Sequence, residues 1–124
     1  MVSRTQQERC AGESSRRVDP ALTRAFILLG KRWTGLVLAV LTQGPAHFAQ
    51  LRRAIPGISE RMLSDRLTEL VAVGLVVRQV DPEPPLRVNY SVTAAGEAVC
   101  PALRELSRWA DEHLTGDIPS TSRP

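Results

Sequence analysis

Residues 48–77, FAQLRRAIPGISERMLSDRLTELVAVGLVV, constrain the fold most, because they read as two short amphipathic helices joined by a tight Pro-Gly turn. Phe48 and Leu51 mark the inward face of the first helix. The step Ile55-Pro56-Gly57-Ile58 ends it, since proline has no N–H for the helical ladder and glycine admits backbone angles that other residues avoid. Ser59 is a suitable N-cap for the second helix. There Leu63, Leu67 and Leu70 recur at i, i+4 and i+7, forming one stripe and turning Arg61, Ser64, Asp65 and Thr68 away from it. This is the outline of a helix-turn-helix, whose second helix is of a size to enter the major groove of B-DNA with its first turns at the base edges.

The flanking sequence extends the pattern. Gly74 is a candidate C-cap, Leu75 to Val80 is a β-branched, strand-like run, and Arg87 to Val92 alternates apolar and polar residues at period two. Between them, Asp81-Pro82-Glu83-Pro84-Pro85 suits neither a helix nor a central strand, so a hairpin is expected. Helix, turn, helix, hairpin is a winged helix. Upstream, Asp19 and Pro20 open a helix with Leu22, Ala25, Phe26 and Leu29 on one face and Gly30 at its end. Trp33 to Leu41 is apolar nearly all round and reads as the central helix, broken by Gln43-Gly44-Pro45. Thr93 then caps a long last helix carrying Val99, Ala102, Leu103, Leu106, Trp109, Ala110 and Leu114, which Pro101 should bend. The expected class is α+β, mostly α.

With these pieces in order, the chain resembles the HxlR family of bacterial winged helix-turn-helix transcriptional regulators. The resemblance rests on Gly30-Lys31-Arg32-Trp33, Phe48 with Leu51, Gly57-Ile58-Ser59, Leu67 and Leu70. It continues through Gly74-Leu75-Val76 with Arg78, Pro85 before Tyr90, Thr93 with Gly96, and Trp109, spanning roughly residues 19 to 114. It implies a homodimer paired through the first and last helices, with two recognition helices on one DNA face. Two-fold symmetry then implies an inverted-repeat operator with half-site centres about one helical turn apart. Relatives often carry a cysteine about a dozen residues before the Gly-Lys-Trp segment. This chain has Pro20 near that position, and Cys10 lies ten residues earlier.

Composition fits one domain over residues 19–114, with residues 1–18 and 115–124 polar, aperiodic and expected to be flexible tails. Only five residues are aromatic, so aliphatic side chains must supply most of the core. The net charge of +3 is uneven: residues 1–96 hold 13 Lys and Arg against 8 Asp and Glu, and residues 97–117 hold 2 against 5. A basic end for anions and an acidic end for a protein partner are expected. No apolar run reaches the roughly 18 residues of a membrane span, and the polar start lacks a signal-peptide centre, so a cytoplasmic protein is expected. Two separated cysteines and two isolated histidines suggest neither a disulfide framework nor a metal site. No phosphate loop, nucleophile elbow or clustered acid and base set points to an enzyme, and no cofactor is expected.

Roles follow for the candidate contacts. Arg61 suits direct readout, because a guanidinium takes guanine O6 and N7 together, with Ser64 and Thr68 as smaller contacts. Asp65 would accept from cytosine or hold Arg61. Ser59 opens the helix N-terminus to phosphate, and Arg66, Arg52 and Arg53 suit phosphate positioning. Lys31 and Arg32 would bind phosphate or form surface pairs. In the wing, Arg87 is the side chain to enter the minor groove, and Arg78 at its base meets phosphate or pairs with Asp81 or Glu83. For each of these residues the alternative is an ordinary solvated side chain. Leu22, Phe26, Val99, Leu103, Leu106, Trp109 and Leu114 are the candidate dimer interface; the alternative for the last helix is packing on its own domain. Cys10, beside Arg9 and near Arg16 and Arg17, is the candidate redox residue, whereas Cys100 reads as a packing thiol. Two other functions stay open: a winged-helix module that meets a protein and no DNA, and a regulator that also senses a small-molecule effector at its apolar seam.

Overall fold

The computed structural model describes residues 16–116, so Cys10 and most of the two expected tails lie outside the described residues. Helix α1 spans Pro20–Leu29, with Asp19 Oδ1 accepting the Ala21 N–H at 3.1 Å and proline in the first turn. The Gly30 N–H closes it on the Phe26 carbonyl at 2.8 Å. No residue of α1 is buried, and Leu22 and Phe26 are 50% and 61% exposed. With Val18, Thr23 and Ile27 they line an apolar hollow of about 320 Å³.

Residues from Lys31 onward form the winged helix: α2 (Thr34–Leu41), β1 (Ala46–His47), α3 (Phe48–Ala54), α4 (Glu60–Ala72), β2 (Val76–Asp81), β3 (Arg87–Val92), α5 (Ala94–Glu97) and α6 (Cys100–His113). The core is aliphatic, as composition requires. Val37, Leu38 and Leu41 of α2 meet Leu51 of α3, Ile55 and Ile58 of the turn, and Leu63, Leu67 and Leu70 of α4, all buried. Truncating one of these leucines to alanine removes its transfer energy and leaves a cavity, a loss of about 2–5 kcal/mol. The predicted leucine stripe is thus the surface that seats α4.

Helix α4 stops where expected, by a two-bond closure. Leu75 N–H reaches the Leu70 carbonyl at 3.0 Å and Gly74 N–H the Val71 carbonyl at 3.1 Å, with Val73 as cap and Gly74 left-handed after it. The chain enters β2 one residue later than predicted. Strands β2 and β3 pair antiparallel from Val76 opposite Val92 to Asp81 opposite Arg87.

Three features differ from the sequence reading. A third strand, β1, pairs Ala46 with Tyr90 and His47 with Asn89, making β3 the middle of the sheet. Two residues are too few to show period two. Helix α2 begins after Trp33, which caps it at φ 82°, and its Leu36 is 56% exposed, so α2 is central on one side only. The last helix is two helices: Thr93 caps only α5, residues 98 and 99 keep right-handed helical angles but fall between the two hydrogen-bonded helices, and Pro101 sits in the first turn of α6. Proline there begins a helix instead of bending one, because a first-turn N–H has no helical partner to lose. Among the described residues no helix is long and apolar enough to cross a membrane.

Candidate nucleic-acid interface

The turn before α4 is set by Gly57, whose φ of +88° suits glycine, and by Ser59, whose Oγ accepts the Met62 N–H at 3.0 Å. Around this turn opens a hollow of about 680 Å³ lined by Arg52, Arg53, Gly57, Ser59 and Glu60 among others. Two guanidinium-bearing residues beside a helix N-terminus suit a phosphate oxygen. Glu60 holds Arg52 at 2.9 Å, an exposed pair of about 0–1 kcal/mol, so an incoming phosphate would compete with it readily.

On α4, Arg61, Ser64, Asp65 and Thr68 are exposed on the side away from the buried leucines. The Arg61 side chain is 87% exposed and lies 3.9 Å from Asp65 Oδ2. Arg66 is placed differently. Its side chain is only 14% exposed and lies on the flank, with Nη2 3.3 Å from Glu69 Oε2. Lys31 Nζ reaches the same oxygen at 2.7 Å, an arrangement across 38 residues that no local pattern announces.

In the wing, Arg87 is exposed opposite Asp81, and Arg78 is exposed opposite Tyr90. Among the described residues Arg78 has no ion pair, and Asp81 Oδ1 instead accepts the Glu83 N–H at 3.2 Å. The wing is tied to the helix-turn-helix by His47, which precedes α3: its Nδ1 lies 3.2 Å from the carbonyl of Val88, one pair short of the hairpin tip, and its backbone N–H donates to Gln50 Oε1 at 2.7 Å. The spacing of His47 and Gln50 around a helix start was the available signal for this junction.

The remaining candidates divide by helix. On α6, Leu106 and Trp109 are 52% and 51% exposed, Leu114 is exposed, and Val99 and Leu103 are half-buried. Leu22 and Phe26 belong to α1, described above. Cys100 is half-buried at the start of α6.

This geometry has counterparts. The HxlR-like helix-turn-helix family matches residues 28–117. The transcriptional regulator YodB of Bacillus subtilis is 45% identical over 93 residues, covering 75% of this chain and 83% of YodB. The solved reduced form of B. subtilis YodB superposes with a TM-score of 0.72 at 43% identity, over 82% of this chain and all of that one. Its quinone-bound form gives 0.66 at 41% identity, over 76% of this chain and 99% of that one. A matched family over most of the chain, with the exposed face of α4 and the wing in place, makes this protein a member of the HxlR-like helix-turn-helix family of transcriptional regulators.

Proposed function

We propose that the protein works as a homodimer that reads an inverted-repeat operator. The observation that carries this is the exposed polar face of α4, Arg61, Ser64, Asp65 and Thr68, seated on three fully buried leucines. Arg61 takes a base edge in the major groove, Arg52 and Arg53 take phosphates at the turn, and Arg87 enters the minor groove. Arg78 takes phosphate at the wing base, while Arg66 stays with Glu69 on the flank. The apolar residues left open on α1 and α6 support a second copy as the partner, and two copies set two α4 helices a fixed distance apart.

Duplexes selected from a random pool by the purified protein should be enriched for inverted repeats with half-site centres about one helical turn apart, bound by two chains. Enrichment of a lone half-site bound by one chain overturns the dimeric reading. No enrichment at all overturns operator recognition. Kinship with YodB, solved in reduced and quinone-bound forms, supports a second layer in which an oxidant or electrophile changes operator affinity; because Pro20 stands near the relatives' usual cysteine position, Cys10 is proposed as its thiol only on its neighbours Arg9, Arg16 and Arg17.

A further inference from the structure

The turn between α1 and α2 holds two features that DNA contact does not explain. Trp33 adopts φ 82°, a left-handed conformation unfavourable for a bulky residue, so the surrounding structure must hold it there. Through this kink, side chains two residues apart reach two separate parts of the helix-turn-helix. Lys31 Nζ sits 2.7 Å from Glu69 Oε2 in the third turn of α4, and Trp33 lies against the turn that opens α4, where a Cβ on Gly57 would stand 3.5 Å from Trp33 Cη2. Arg32 covers the same indole, its guanidinium carbon 4.5 Å from the ring centre.

The network is poorly built for stability. Lys31 and Glu69 are 47% and 30% exposed, so their attraction is largely screened by solvent. Glu69 Oε1 and Arg66 Nε are buried without partners among the described residues, and under-satisfied buried polar groups weaken a fold. What the network does is fix geometry: it ties a short, strained turn to the flank of α4 at Glu69 and to the turn that precedes α4 at Gly57. The exposed face that carries Arg61 lies off that flank and keeps its freedom to meet DNA.

We infer that Lys31 and Trp33 are positioning residues that set the angle of the recognition helix, Lys31 through Glu69 and Trp33 through Gly57, without touching DNA. This rests on the operator-reading function proposed above. A residue that positions the helix changes the fit to the correct sequence and leaves generic phosphate attraction alone. A residue that binds phosphate does the opposite, weakening every duplex and lowering the salt slope by about one.

The test uses the full chain, the duplex it selects from a random pool, and a scrambled duplex, each titrated at several salt concentrations. Lys31→Met should lower affinity for the selected duplex roughly tenfold and leave scrambled-duplex affinity and both salt slopes unchanged, while Lys31→Arg restores the wild-type value. Glu69→Gln, nearly isosteric, should reproduce the loss, and adding it to Lys31→Met should produce little more. Trp33→Phe, whose ring stops short of Gly57, should show the same selective loss. Should Lys31→Met fail to fold, Glu69→Gln carries the comparison. Equal weakening on both duplexes with a flatter salt dependence would make Lys31 a phosphate contact and overturn the inference. Unchanged affinity for the selected duplex in Lys31→Met or Trp33→Phe would overturn it as well. If the wild type selects no sequence, the operator reading fails, and the positioning role fails with it.

Discussion

Arg61 and Arg52 carry the same charge and should fail differently when removed. Arg61 stands free on the exposed face of α4, so Arg61→Ala should lose about 1–3 kcal/mol on the operator and relax preference at one base pair. Arg52, at the turn beside Glu60, should weaken all duplexes alike when changed to alanine. Competition binding on operator and random DNA separates the two, and equal losses on both by both variants would refute the assignment. Gly96 is constrained by space: a Cβ there would lie 2.2 Å from the Leu75 carbonyl oxygen, where α5 crosses the base of the wing. Thr93 secures the same crossing, its hydroxyl donating to the Gly74 carbonyl at 2.7 Å and accepting the Gly96 N–H at 3.1 Å. Gly96→Ala should therefore destabilise by about 1–3 kcal/mol, since backbone must shift to admit the methyl. A thermal melt within a degree or two of wild type would show that the crossing yields easily.

Among the elements, α6 holds the clearest test. Changing Leu106 and Trp109 together to polar residues should give monomer in sedimentation and reduce operator affinity, because two half-sites can no longer be held at once. A variant that stays dimeric places the seam elsewhere; one that unfolds assigns the stripe to the chain's own core. Elements with a strong internal period were legible before any coordinates: α1 with its Asp19 cap, α4 with its leucine stripe, and β3 with its alternation all stand where the sequence put them. Misreadings came where the deciding contact is distant. Strand β1 exists because β3 pairs with it, and α6 is separated from α5 only by an interruption of the hydrogen-bond ladder at residues 98 and 99, just before Pro101, a residue that fits either a kink or a start. Of the candidate contacts, exposure on α4 followed from helical geometry alone. The pairing of Arg66 with Glu69 is an i,i+3 contact that helical spacing does offer, whereas the approach of Lys31 to the same Glu69 oxygen crosses 38 residues and no spacing rule encodes it.

For the molecule as a whole, the excess of basic residues over positions 1–96 and of acidic ones over 97–117 separates a DNA-seeking part from a last helix that should not compete for phosphate. Redox control through Cys10 would act at this scale, through a disulfide between subunits that alters the spacing of the two recognition helices. Diamide treatment should then change operator affinity of the wild type and leave Cys10→Ser unaffected. Identical binding by oxidised and reduced wild type, with no covalent dimer on a non-reducing gel, would remove Cys10 from the function. The strand order β1-β3-β2 has a consequence for motion. Because β3 is flanked on both sides, amide hydrogens near Asn89 should exchange with solvent slowly, opening only when the helix-turn-helix beside β1 opens too, whereas those of residues 82–86 should exchange fast. The hairpin would then behave as a cantilever, rigid where β1 grips β3 and compliant only in the loop 82–86, so that, on the proposed reading, Arg87 at the edge of that loop meets a groove from a held strand while the loop beside it yields and α4 keeps its bearing.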